Sequence, residues 1–168
     1  MGFVLVLGGA RSGKSDLARR LALESAHPVS FIATASPGDE EMAERIARHR
    51  QGRPAGWTTV EEQIELLEAI RSTPRDNFVV VDCLTLWVSN LLGAGREGDA
   101  IHSLGESAAG TMSARDGVVV SNEVGLGIVP ANALARTFRD SLGMVNRSFA
   151  ARAERSVLMV AGRSLELA

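Results

Sequence analysis

Gly8, Gly13, Lys14 and Ser15 stand in GGARSGKS at the spacing G-x-x-x-x-G-K-S, a spacing that does chemistry on phosphates. Glycines let the stretch Gly8, Gly9, Ala10, Arg11, Ser12, Gly13 wrap closely, so that its backbone N–H groups face phosphate oxygens. Lys14 brings positive charge to the β and γ phosphates of an ATP-type nucleotide, and the Ser15 hydroxyl can ligate Mg²⁺. The helix that follows aims the positive end of its dipole at the same anion. Of eighteen basic residues seventeen are arginine, and the single lysine is Lys14, where a compact ammonium on a flexible stem is useful. Such a loop needs a carboxylate at the end of a neighbouring strand to hold the metal directly or through water. FVVVD, residues 78–82, supplies one in Asp82.

A second constellation has no part in phosphoryl transfer. In ERIARHRQGRPAGW, residues 44–57, His49 stands among Arg45, Arg48, Arg50 and Arg53. Residues 38–51 read as a helix with an acidic first turn, a stripe of Met42, Ala43, Ile46 and Ala47, and a stop at Gly52 and Pro54. His49 falls at the edge of that stripe. One reading is a solvated residue at the negative end of the helix dipole. The other is a nucleophile: a neutral imidazole can attack phosphorus and hold a nucleotidyl group covalently. Flanking arginines would neutralise the triphosphate and the charge that develops. Spacing leaves both open. His27 and His102 lie in loop or poorly patterned segments and invite no such role.

The elements that must position these residues alternate short apolar runs with longer helical patterns, the signature of a parallel sheet with crossover helices. Strands are predicted at 3–7, 29–33, 78–82, 117–121 and 156–161. They are near-continuous apolar runs rather than alternating ones, as expected when both faces are covered. Residues 163–168 leave room for a short antiparallel edge strand. Helices are predicted at 14–25, 38–51, 60–72 (capped by Thr59), 86–92, 131–142 and 144–155. The stretch 93–116 holds Gly93, Gly95, Gly98, Gly105 and Gly110, each costing about 1 kcal/mol inside a helix, and is expected to be a mobile connection with one poor helix. Ala33–Ala35 and Ser121–Glu123 end predicted strands, on the edge where open α/β sheets bind ligands. Glu123, with Asn122, could orient a substrate hydroxyl or a metal-bound water, or could cap the helix after Pro130. Trp57 and Trp87 read as packing residues rather than as a base site.

Composition narrows the class. At 168 residues, with 45% hydrophobic and 23% charged residues, residues 1–168 are expected to form a single nucleotide-binding domain. The net charge of −2 argues against nucleic acid as a partner, since that would call for a basic stripe. Cys83 is the only cysteine, which fits a reducing compartment. The apolar run Phe3–Leu7 is too short for a membrane span or a signal-peptide core, and a cytoplasmic location is expected.

Several segments together are similar to one enzyme family. GGARSGKS, RIARHRQGRPAGW followed by TVEE, VVVDCLTLWVSNLL and VVVSNEVGLGIVPANALARTFRDSLGMVN resemble the bifunctional adenosylcobinamide kinase/adenosylcobinamide-phosphate guanylyltransferases of cobalamin biosynthesis. The likeness runs from about residue 4 to residue 163, and SNEVGLGIVP is far more specific than the phosphate loop. It implies a three-layer RecA-like P-loop fold assembled as a homotrimer, with nucleotide sites near subunit boundaries. It implies two reactions. The aminopropanol hydroxyl of adenosylcobinamide is phosphorylated with ATP or GTP; GTP then gives GMP to a histidine, releasing pyrophosphate, and the new phosphate accepts it, yielding adenosylcobinamide-GDP. The matching histidine is His49. Nucleotide contacts carry over onto residues 8–15, Ala33, Thr34 and Ala35, Arg50, Gln51, Gly52 and Arg53, Glu61 and Asp82. Two features depart from the family pattern: the short, glycine-rich 93–116 segment, and Arg147 where glutamine commonly follows the asparagine.

Two other readings compete. A P-loop small-molecule kinase would use the loop and leave His49 inert. A RecA-like ATPase driving a partner would need basic or motor-type surfaces, which this near-neutral composition does not favour.

Overall fold

The computed structural model describes residues 2–36, 44 and 52–167. Seven strands form one sheet: β1 (Phe3–Gly8), β2 (Val29–Ala33), β3 (Thr58–Glu61), β4 (Phe78–Asp82), β5 (Gly117–Val120), β6 (Arg155–Val160) and β7 (Arg163–Leu167), in the order β3-β2-β4-β5-β1-β6-β7. All neighbours are parallel except β6 and β7, which form the antiparallel edge expected at the C-terminus. Among the described residues the helices are α1 (Lys14–Glu24), α2 (Leu66–Ser72), α3 (Leu84–Gly93), α4 (Gly98–Met112) and α5 (Ala133–Ala150).

The apolar runs work because alternate side chains of a strand face opposite layers. Phe3, Leu5, Leu7, Val79, Val81 and Val119 enter one core with residues of α2, α3, α4 and α5. Val6, Val80, Val118 and Val120 enter the other with Leu17, Ala18 and Ala22 of α1. The result is a three-layer fold, a mostly parallel sheet covered by helices on both faces, with the phosphate loop leaving the end of β1. The strand ending in Asp82 is separated from the phosphate-loop strand by one strand, β5.

Three predicted elements are corrected. The predicted helix at 60–72 is a strand, β3, followed by a helix beginning only at Leu66. TTVE pairs with β2, and Glu62 is no first-turn helical residue: its Oε1 accepts from the N–H groups of Ile64 and Glu65 at 2.8 and 2.9 Å. The segment 93–116 is largely the fifteen-residue helix α4. Its interior glycines cost about 1 kcal/mol each, but burying Ile101 and Met112 returns about 1.5–3 kcal/mol apiece. Gly105 has a use as well: a Cβ there would sit 3.0 Å from Val145 Cγ2, so its absence lets α4 and α5 pack closely. Finally, the two helices predicted at 131–142 and 144–155 are one, α5. Its N-cap Asn132 accepts from the Ala135 N–H at 3.1 Å. Gly143 is exposed within it, while Leu142, Val145 and Phe149 keep the buried stripe continuous. The predicted helix at 38–51 lies outside the described residues.

Candidate active site

Parallel pairing aligns the carboxyl ends of four strands. Glu61 of β3 pairs with Ala33 of β2, Ala33 with Asp82 of β4, and Asp82 with Val120 of β5. Val120 also pairs with Val6 of β1, two residues before the phosphate loop. One sheet edge therefore carries Glu61, Ala33, Asp82 and the loop at 8–15. At a strand spacing of about 4.8 Å, the four steps from β3 to β1 span about 19 Å, the scale of a nucleotide rather than of one phosphate.

The loop turns on glycine. Gly8 has φ 151°, and a Cβ there would meet Met159 O at 2.5 Å; Gly13, with φ 97°, is the N-cap of α1. Neighbouring segments fix the loop backbone: Glu123 N–H donates to Gly8 O at 3.2 Å, and Gly162 N–H, from the β6–β7 turn, donates to Ser12 O at 3.0 Å. Gly9, Ala10 and Arg11 are exposed, whereas Ser12 and Lys14 are buried. Lys14 Nζ donates to Gly9 O at 2.6 Å, inside the loop it would serve. The buried Ser12 hydroxyl has no hydrogen-bond partner among the described residues, which suits a cradle for an anionic ligand.

Thr34 joins the ends of β2 and β4. Its Oγ1 donates to Cys83 O at 2.7 Å and accepts from Cys83 N–H at 2.8 Å, and its N–H donates to Asp82 O at 3.1 Å. Asn90 Nδ2 adds a donor to Thr34 O at 2.8 Å. The fully buried Thr34 side chain is thus committed to aligning Asp82 rather than facing the edge. Burial, with the Asp82 charge behind it, pushes the Cys83 thiol up to about 11. Backbone N–H groups of Ile64 and Glu65 hold the Glu62 carboxyl below its ordinary value.

At the β3 end, Arg53 stacks over Phe31 with 3.8 Å from its guanidinium carbon to the ring centroid, and Phe31 stacks on Trp57 at 6.1 Å. Arg53, Pro54, Ala55, Trp57, Thr59 and Glu61 line a cleft of about 340 Å³. An aromatic plane, a guanidinium and a carboxylate suit a planar heterocycle with ring N–H donors. Gly52 is tied to α1 through Arg19, whose Nη1 donates to its carbonyl at 3.3 Å. Trp87, by contrast, is core: it is buried, and its Nε1 donates to Ile64 O at 2.8 Å. His49, Arg50 and Gln51 lie outside the described residues, as do Arg45 and Arg48.

Among the described residues no group of three His, Cys, Asp or Glu side chains is placed to hold a metal. A hydroxyl and a carboxylate, Ser15 and Asp82, are nonetheless the hard oxygen donors that suit Mg²⁺, which keeps several waters and takes further oxygens from phosphates.

Over residues 4–167 the chain matches the family described as cobinamide kinase / cobinamide phosphate guanyltransferase. The chain belongs to this family. The bifunctional adenosylcobalamin biosynthesis protein CobP of Pseudomonas aeruginosa is 45% identical over 97% of this chain and 95% of that protein. The corresponding CobU of Escherichia coli is 43% identical, covering 98% of each. A solved structure from Pyrococcus horikoshii superposes with a TM-score of 0.56 over 98% of this chain and 85% of that one, at 11% identity, a likeness of fold alone. This cobinamide kinase / guanyltransferase family member is therefore an enzyme, and no helix among its described residues is long and apolar enough to cross a membrane.

Sequence reading missed the polar frame behind the site. Ser121 Oγ donates to Asn146 Oδ1 at 2.6 Å, Asn146 Nδ2 donates to Asn122 O at 3.0 Å, and Asn122 N–H donates to Thr85 Oγ1 at 2.8 Å. The one available signal was Asn146 itself, an amide on the buried face of α5 beside Leu142, Val145 and Phe149.

Proposed function

We propose that this chain phosphorylates the aminopropanol hydroxyl of adenosylcobinamide with ATP or GTP, then moves GMP from GTP to His49 with release of pyrophosphate, and from His49 onto the new phosphate, giving adenosylcobinamide-GDP. The observation that carries the reading is the family match over residues 4–167, on a chain whose sheet edge brings the phosphate loop, Asp82 and the Arg53–Glu61 cleft together. Lys14 and the backbone of Gly8 to Ser15 bind the triphosphate. Ser15 and Asp82 hold Mg²⁺, which when bound offsets the negative charge of the phosphates. Ala33 and Ala35 border the nucleotide, Thr34 holds Asp82 in line, and Arg53 and Glu61, with Arg50, Gln51 and Gly52, take its guanine side. We place the enzyme in the cytoplasm as a homotrimer of single 1–168 domains, its nucleotide sites near subunit boundaries.

The test is incubation of the purified chain with adenosylcobinamide, Mg²⁺ and GTP, followed by mass analysis of the corrinoid. Adenosylcobinamide-phosphate followed by adenosylcobinamide-GDP is expected. Phosphate alone would reduce the enzyme to a kinase, and an unchanged corrinoid would refute the reading.

A further inference from the structure

We infer that Glu123 is the general base of the phosphoryl-transfer step, taking the proton from the acceptor hydroxyl as it attacks the γ phosphorus. The inference deepens the proposed function and rests on it. Its starting point is the strand order. β5 lies between β1, which feeds Lys14 and Ser15, and β4, which ends in Asp82; Val120 pairs with both Val6 and Asp82. A terminal phosphate reached by the loop on one side and by Asp82 on the other would sit over the end of β5. The three residues leaving that strand are Ser121, Asn122 and Glu123, and the Glu123 N–H donates to Gly8 O at the base of the loop.

The segment is built to hold a position. α5 pins it through Asn146, which accepts from Ser121 Oγ and donates to Asn122 O. α3 pins it through Thr85 Oγ1, which accepts from Asn122 N–H. A plain connection needs no such buried frame, whereas a base must be kept within a fraction of an ångström of its proton. The half-buried Glu123 carboxylate is itself oriented: Oε1 accepts from Gly125 N–H at 2.7 Å, which leaves Oε2 to take a proton. A Cβ on Gly125 would come within 2.9 Å of Oε1, so a larger residue there would make the carboxylate shift.

The other carboxylates are worse placed. Asp82 is already assigned to Mg²⁺ in the proposed function, and Asp16 is exposed on the first turn of α1. Glu61 ends a strand four positions from β1, and Glu62 is occupied by the N–H groups of Ile64 and Glu65. In the step, Glu123 accepts the hydroxyl proton while the substrate oxygen forms its bond to the γ phosphorus. The bond from that phosphorus to the β–γ bridging oxygen breaks, the electron pair leaves with ADP or GDP, and the proton then passes from Glu123 to solvent.

Glu123→Gln keeps an oxygen for Gly125 N–H but cannot take a proton; Glu123→Ala removes both functions. In the full chain, Glu123→Gln is expected to lower kcat for adenosylcobinamide phosphorylation about 100-fold or more. KM for ATP should stay within a few-fold, and the fall of kcat at acid pH should flatten. Labelling of the enzyme by α-labelled GTP, which needs no acceptor hydroxyl, should persist. If Glu123→Gln keeps kcat within about three-fold of wild type while Glu123→Ala loses it, the carboxylate only shapes the turn and the inference is overturned. A wild-type chain unable to phosphorylate the corrinoid would overturn the proposed function and this assignment with it.

Discussion

Lys14 is 9% exposed and already donates within the loop, so its ammonium is held where a triphosphate would lie. Lys14→Ala should cut corrinoid phosphorylation by at least about 100-fold, the scale of losing one preorganised charge at a reacting group. Lys14→Arg should not restore it, because a planar fork does not fit where a point charge sits. Phosphorylated corrinoid, followed over time, measures both. Cys83 gives a pH prediction. Its thiol, ordinarily near 9.0, is raised to about 11, so the folded chain keeps its proton where the unfolded chain loses it. Stability from this group is complete below pH 9 and declines as pH rises from 9 toward 11. At pH 8 the thiolate fraction is about 100-fold below that of an ordinary thiol. After allowing for the greater nucleophilicity of a more basic sulfur, alkylation by iodoacetamide should run about ten-fold slower in native than in urea-unfolded protein. At this scale the phosphate loop was legible because its chemistry is set by local spacing. The frame of Thr34, Asn90, Ser121 and Asn146 was not, because its partners lie tens of residues apart and share no pattern.

Glycine is the lesson at the scale of elements. Counted as helix breakers, Gly98, Gly105 and Gly110 argued for a loose connection, yet α4 packs tightly on α5. The two interior positions should respond in opposite directions. Gly105→Leu drives a side chain into Val145 and should cost about 1–3 kcal/mol. At Gly110 a Cβ meets only Arg152 Nε at 3.9 Å, so Gly110→Ala should gain up to about 1 kcal/mol. Urea midpoints at unchanged slope would report both. The strands at 29–33 and 78–82 are legible to the residue because buried parallel strands read as near-continuous apolar runs. β3 was misread because a four-residue edge strand shows little periodicity, and its Thr59 and Glu61 also fit a helix start.

For the whole molecule, alternating strands and helices sufficed to give a three-layer parallel sheet, but quaternary structure has no such local signature. The isolated chain leaves Leu126 and Ile128 84% and 97% exposed on the connection beside the site, apolar surface of the kind an assembly covers. Sedimentation equilibrium should therefore give three times the 17.8 kDa chain mass at micromolar protein, and a monomer would refute the trimer. The two-reaction account stands on His49. Wild-type protein and His49→Ala should each be incubated with GTP labelled at the α phosphate, then denatured and tested for bound label. The account predicts an acid-labile, base-stable adduct on wild type and none on His49→Ala, with corrinoid phosphorylation retained by the variant. Label that persists on His49→Ala, or that never appears on wild type, would contradict it.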